Sequence, residues 1–195
     1  MPAGAAVFLH GLTDSPFSGR HVLARDREHG FVGLAIRLAG PRHRVRRAHP
    51  RRVAGLAAAT RLAVREARRR IGPDAPLHLI GYSNGGALAL EYALDALEDE
   101  ALPRIDRLVL LSPMVGVTAF ARFAGLAGLP ALLPAFERAA WLDVVPEFNP
   151  FKYNSFPVNA ARQSFLLCDA LQGRIAQLAD DARLQALPPS SPSRP

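Results

Sequence analysis

The sequence predicts an α/β domain: a mostly parallel sheet with helices on both faces. Four apolar runs of strand length, inside "GAAVFLHG", "FVGLAIRL", "APLHLIGYS" and "RIDRLVLLSPMV", show no period-two alternation, which is the pattern of strands buried on both faces. Helical stretches lie between them, so strand and helix alternate along the chain. The first of these stretches carries start and stop residues at the expected places.

The elements follow in order. "GAAVFLHG" is a short strand ending at glycine. In "DSPFSGRHVLARDREHG", Ser15 or Asp14 can cap a helix, Pro16 suits its first turn and Gly30 can end it. After the second strand, "VAGLAAATRLAVREARRRIG" is rich in alanine, leucine and arginine; its late arginines favour the helix dipole and Gly72 stops it. The third strand runs into "NGGALALEYALDALEDE", a helix with Leu88, Tyr92 and Leu94 among its buried candidates. "RIDRLVLLSPMV" is the fourth strand.

After Ser112 the rhythm changes. Residues 113–158 hold short helical pieces cut by Pro130, Pro134, Pro146, Pro150 and Pro157, with the one tryptophan and no clear strand. This segment is expected to be a helical cap inserted over one end of the sheet. A last helix is expected from about Asn159 to Ala186. Residues 1–187 then form a single domain, and 188–195, "PPSSPSRP", a disordered polar tail.

Composition narrows the classes. A chain of 195 residues with 49% apolar residues can bury roughly 70% of its unfolded surface as one domain. No run of about 18 uninterrupted apolar residues offers a membrane span, and the start "MPAGAAVFLHGL" lacks the basic region of a signal peptide, so a cytoplasmic protein is expected. The single cysteine, Cys168, excludes an internal disulfide and a multi-cysteine metal site; in "SFLLCDAL" it reads as a buried small hydrophobe. No metal or other cofactor is expected.

The net charge of +7 is local. Residues 37–70 hold twelve arginines against one acid, Glu66, a balance of +11, while the rest carries twelve basic and sixteen acidic residues, −4. No aromatic residue between Val32 and Ile80 is available for base stacking, so nucleic acid is not an expected partner.

The chemistry is concentrated in "GYSNGG". Gly81-Tyr82-Ser83-Asn84-Gly85 matches G-x-S-x-G, a sharp strand-to-helix turn that lifts a serine hydroxyl above the sheet. The pattern alone is weak, but here it sits at the strand-to-helix junction that the mechanism requires. A second motif, His10-Gly11-Leu12, ends the first strand. Acyl transfer needs two backbone N–H groups aimed at a tetrahedral oxyanion, and by position Leu12 and Asn84 are those donors. His10, with Gly11, Gly81 and Gly85, reads as loop-shaping.

These residues resemble the α/β-hydrolase superfamily, and specifically its single-domain esterases and monoacylglycerol-lipase-like or S33-type serine aminopeptidase members. The likeness runs from about Ala6 to about Leu187, with "VFLHGLTDSP", "LIGYSNGGALALEYA" and "FNPFKYNSFPVNAARQ" its most specific pieces. It implies hydrolysis of carboxylic esters through an acyl-serine on Ser83, a small ester or acyl substrate, and a catalytic order of serine, then acid, then histidine. Phe120, Phe123, Trp141 and Phe151 of the cap would line an acyl pocket. It leaves the oligomeric state open.

The chain departs from that pattern in one respect that bears on activity. Its six histidines are His10, His21, His29, His43, His49 and His78, so none follows Ser83. No clear acid stands after a strand beyond the cap either, and the chain reads as one whose last strands are missing. His78, within the third strand, reads as a core or edge histidine. Between the second strand and the long helix, "RLAGPRHRVRRAHPRR" stands where relatives carry a Pro-Gly-His-Gly-like loop, which suggests a local frame disturbance in the gene. The alternative expectation is therefore a catalytically incomplete, hydrolase-like chain or a non-catalytic binding protein.

Overall fold

The computed structural model describes residues 1–38, 51–115, 141–143, 156–178, 181, 184–185 and 187–188 of the 195. The order is β1 (Gly4–Leu9), a 3-10 turn (Pro16–Gly19), α1 (Arg20–Glu28), β2 (Phe31–Ala35), α2 (Arg51–Ile71), β3 (Leu77–Tyr82), α3 (Asn84–Glu98), β4 (Arg107–Leu111), β5 (Trp141–Asp143), β6 (Phe156–Pro157) and α4 (Val158–Leu178).

The first four strands form one parallel sheet in the order β2-β1-β3-β4. Chain order reverses between β1 and β3: one crossover carries the chain outward to β2, the next carries it back past β1. The carboxyl ends of β1 and β3 therefore lie at the switch point of the sheet, the end at which open α/β sheets bind ligands.

Successive residues of β1 explain the absence of alternation. Ala5, Val7 and Leu9 pack with Leu77 and Leu79 against α2, α3 and α4 through Val64, Leu88, Leu94, Leu167 and Leu171. Ala6 and Phe8 face the other way and join Ile80 and Leu23 of α1. All six residues of β1 are buried. Each fully buried leucine or phenylalanine contributes about 2 kcal/mol of transfer free energy, so the six-residue strand is held from both faces. Leu88, Tyr92 and Leu94 are buried as expected.

Of the two candidate caps one is used: Ser15 Oγ accepts from the Phe17 N–H at 3.4 Å and caps the 3-10 turn, whereas Asp14 Oδ1 accepts from the N–H of its neighbour Ser15 at 2.8 Å, and α1 starts after Gly19 without a side-chain cap. Gly30 and Gly72 each end a helix at φ +81°, a conformation that costs glycine little. Arg68 donates to the carbonyls of Gly72, Pro73, Ala75 and Arg104 at 2.6–3.2 Å, tying the last turn of α2 to the connection into β3 and to the segment before β4.

Two expectations need correction. The segment after Ser112, read as having no strand, contributes β5 and β6, paired antiparallel through Trp141 with Pro157 and Asp143 with Phe156. Strands of three and two residues are too short to show a period. The last helix ends at Leu178, not near Ala186, with Leu184–Gln185 in a separate short turn. Asp181 stands just past its C-terminus, where negative charge opposes the helix dipole. Phe120, Phe123 and Phe151 lie outside the described residues, as do 39–50 and the tail 189–195.

Candidate active site

β3 delivers the chain to the carboxyl edge of the sheet at Tyr82, and α3 begins two residues later at Asn84. Between them Ser83 adopts φ 53°, ψ −117°, a conformation that side-chain-bearing residues rarely take. The turn is closed by contacts that exclude side chains. A Cβ on Gly81 would meet the Gly85 carbonyl oxygen and lie 2.6 Å from Gly86 Cα; a Cβ on Gly85 would meet the Leu9 carbonyl oxygen and lie 2.7 Å from that of His10. The turn is thus wedged onto the end of β1.

The serine is fixed by its main chain. Its N–H donates to the Leu111 carbonyl at 3.0 Å, and its carbonyl accepts from the N–H groups of Gly86 (2.9 Å), Ala87 (3.3 Å) and Met114 (2.9 Å). Its side chain is half-buried and makes no capping bond to α3, while Tyr82 beside it is 36% exposed.

The loop after β1 lies against this turn. A Cβ on Gly11 would sit 3.4 Å from Ser83 Cβ and 3.3 Å from the Tyr82 ring. The Gly11 carbonyl accepts from the Asp14 N–H at 3.2 Å, a four-residue turn with Leu12 and Thr13 at its centre. Among the described residues the N–H groups of Leu12 and Asn84 donate no hydrogen bond.

His10 is 2% exposed and uses both ring nitrogens. Nε2 accepts from the Leu38 N–H at 3.0 Å, so Nδ1 carries the proton and donates to the Gly11 carbonyl at 2.7 Å. Burial holds its pKa below the usual 6.5, and Arg37 adds to that; the Gly11 bond and Asp14 work against it. The ring is a neutral strut between loops.

His78 stands at the opposite end of the sheet. It is the second residue of β3, with its ring 4.7 Å from that of Phe31. Ser83 is five positions further along, about 17 Å of strand. Cys168 is buried, and its thiol donates to the Met114 carbonyl at 2.9 Å. Burial pushes that thiol up. No group of three or more histidine, cysteine, aspartate or glutamate side chains that could hold a metal occurs among the described residues.

The structure thus brings Ser83, Asn84, Gly81 and Gly85 together with His10, Gly11 and Leu12 at one edge of the sheet. A residue that sequence reasoning missed also reaches it: Ser164 of α4, whose hydroxyl donates to Asn84 Oδ1 at 3.2 Å, both residues being 3% exposed. No sequence signal links positions 80 residues apart.

A parallel sheet with helices on both faces, and a strained serine at the carboxyl end of a central strand, define an α/β-hydrolase-type domain. Residues 6–194 match the sequence profile described as the alpha/beta hydrolase family, and the chain belongs to that family. No curated protein is significantly similar in sequence. Among solved structures it is similar to a soluble variant of monoglyceride lipase from Saccharomyces cerevisiae in complex with a substrate analog (TM-score 0.59, 12% identity, covering 97% of this chain and 67% of that one). It is likewise similar to the Paleococcus ferrophilus monoacylglycerol lipase (0.58, 16%, 87% and 67%). A structure from a study of carboxylesterases of Nitrososphaera gargenis is a third neighbour (0.59, 14%, 96% and 70%). At these identities the likeness is one of fold. No helix among the described residues is long and apolar enough to cross a membrane.

Proposed function

We propose that the chain is a serine hydrolase of carboxylic esters, esterase- or lipase-like, with Ser83 as its nucleophile. Ser83 Oγ adds to the acyl carbon, and the N–H groups of Leu12 and Asn84 donate to the oxygen that gains negative charge. Collapse of this intermediate expels the alcohol and leaves an acyl-serine, which water hydrolyses. His10, Gly11, Gly81 and Gly85 shape the two loops that hold these atoms, and the substrate is a small ester or acyl compound.

The observation that carries this reading is the backbone of Ser83, at φ 53° and ψ −117° with Gly11 pressed against it. Such a conformation costs about 1–3 kcal/mol and persists where the surroundings impose it, typically at functional sites. The lipases and the carboxylesterase among the structural neighbours favour an ester as substrate.

A specific observation favours a second reading, a hydrolase-like binding protein that retains the site without turnover. The Ser83 hydroxyl needs a proton acceptor, and His10 has both nitrogens engaged while His78 lies at the far end of β3. His43 and His49 are outside the described residues. A fluorophosphonate probe together with p-nitrophenyl butyrate separates the two. Labelling and turnover that both vanish in Ser83→Ala support the hydrolase; a folded sample that neither labels nor turns over supports the binding protein.

A further inference from the structure

We infer that Ser164 is a positioning residue for the reaction proposed above, acting from α4 through Asn84. The inference rests on that proposal for its chemistry, but its geometry is independent of it. The Ser83 carbonyl and the Asn84 N–H belong to one planar trans peptide, in which the two bonds point in opposite directions. Whatever fixes the carbonyl therefore aims the N–H. Three donors hold the carbonyl: Gly86 and Ala87 from the first turn of α3, and Met114 from the segment after β4.

These contacts restrain one side of the peptide. The other side is restrained through the Asn84 side chain, whose Oδ1 accepts the Ser164 hydroxyl in a site closed to water. Buried hydrogen bonds of this kind resist rearrangement, because breaking one strands two desolvated polar groups. α4 also reaches the first restraint, since the Cys168 thiol donates to the carbonyl of Met114, whose own N–H binds Ser83. Gln172 extends the same contact line with a 2.6 Å bond to the Val115 carbonyl. Helix α4 thus grips the Ser83–Asn84 peptide from both sides, and Ser164 is the side chain that touches Asn84 directly.

The test uses the full chain with two readouts. The first is the second-order rate of Ser83 labelling by a fluorophosphonate in the native protein, S164A, S164T, N84A and the S164A/N84A double variant. Labelling about tenfold slower in S164A, recovered in S164T, and no further slowing by S164A once Asn84 is alanine is the expected result. Equal labelling of S164A and native protein, or equal slowing by S164A with and without Asn84, overturns the inference. The second readout needs no chemistry: the order parameter of the Asn84 N–H from nitrogen-15 relaxation, expected to fall from about 0.85 toward 0.6 in S164A. Absence of labelling in the native chain defeats the nucleophile assignment alone. The order parameter then decides Ser164: a fall sustains its hold on the peptide, and an unchanged value overturns it.

Discussion

The carbonyl oxygen of Leu9 occupies the place where Gly85 would carry a Cβ. The serine turn and the end of β1 therefore interlock through backbone alone, and no rotamer change can make room between them. This contact sets the spacing between Ser83 and the His10-Gly11-Leu12 loop.

Gly85→Ala is accordingly expected to force the two loops apart. A methyl driven into rigid backbone costs about 3 kcal/mol, and for a chain of this length each kcal/mol shifts the melting temperature by roughly 2–4 °C. A thermal melt should show a loss of roughly 6–12 °C, and labelling of Ser83 should slow at least tenfold. A variant that melts within 2 °C of the native protein would show that the backbones separate freely.

The backbone of Ser83 gives a second prediction, in which two variants that both lack the hydroxyl are compared. At φ 53° and ψ −117° the chain is near the mirror image of an ordinary extended conformation, which glycine adopts readily and alanine does not. Ser83→Gly should therefore be more stable than Ser83→Ala by about 1 kcal/mol, the low end of the usual strain, although glycine elsewhere is the less stable choice. Chemical denaturation at neutral pH measures the difference, and a less stable glycine variant would show that the Ser83 backbone is not strained.

Much of this site is readable from sequence because it depends on local rules. β1 and β3 are apolar without alternation because each faces two layers, and the glycines of "GYSNGG" mark a turn without room for Cβ atoms. His10 was legible as a loop residue by its place before Gly11, but not the bond from Leu38 that engages its second nitrogen. Ser164 was not legible at all: one serine on a helix of leucine, glutamine and alanine carries no pattern, and its partner is set by how α4 crosses α3. The β5–β6 pair escaped for a related reason. Trp141 and Pro157 meet through tertiary pairing of two very short segments, and prolines argue against strands on propensity alone.

His10 makes stability depend on pH in a stated direction. Its folded pKa lies below the usual 6.5, so protons bind the unfolded chain more readily. Its contribution is complete above about pH 6.5 and declines as the pH falls from there toward the folded value. His78, lowered chiefly by burial and also by Arg107, acts in the same direction. The melting temperature should fall between pH 7 and pH 5, and His10→Gln should reduce that fall. At pH 7 the variant should lose about 1–3 kcal/mol from stranding buried partners. An undiminished slope in His10→Gln would show that the ring does not titrate with unfolding.

Asp26 supplies the opposite case, at the end of the sheet away from Ser83. It lies in the last turn of α1, where a negative charge opposes the helix dipole, and its Oδ2 is buried without a hydrogen bond among the described residues. Burial raises its carboxyl above the usual 3.8, although His78 and His29 pull it down. A raised carboxyl favours folding below pH 3.8, and that contribution is lost as the pH climbs through the folded value, so at neutral pH the ionised group is a net penalty. Asp26→Asn keeps the shape and removes the charge. Counting the dipole alone at about 0.3–1 kcal/mol, the variant should melt roughly 1–4 °C higher at pH 7.5, with the gain shrinking toward pH 4. Melting curves at the two pH values decide it: a variant that is less stable at pH 7.5 would mean that burial does not penalise the ionised carboxylate.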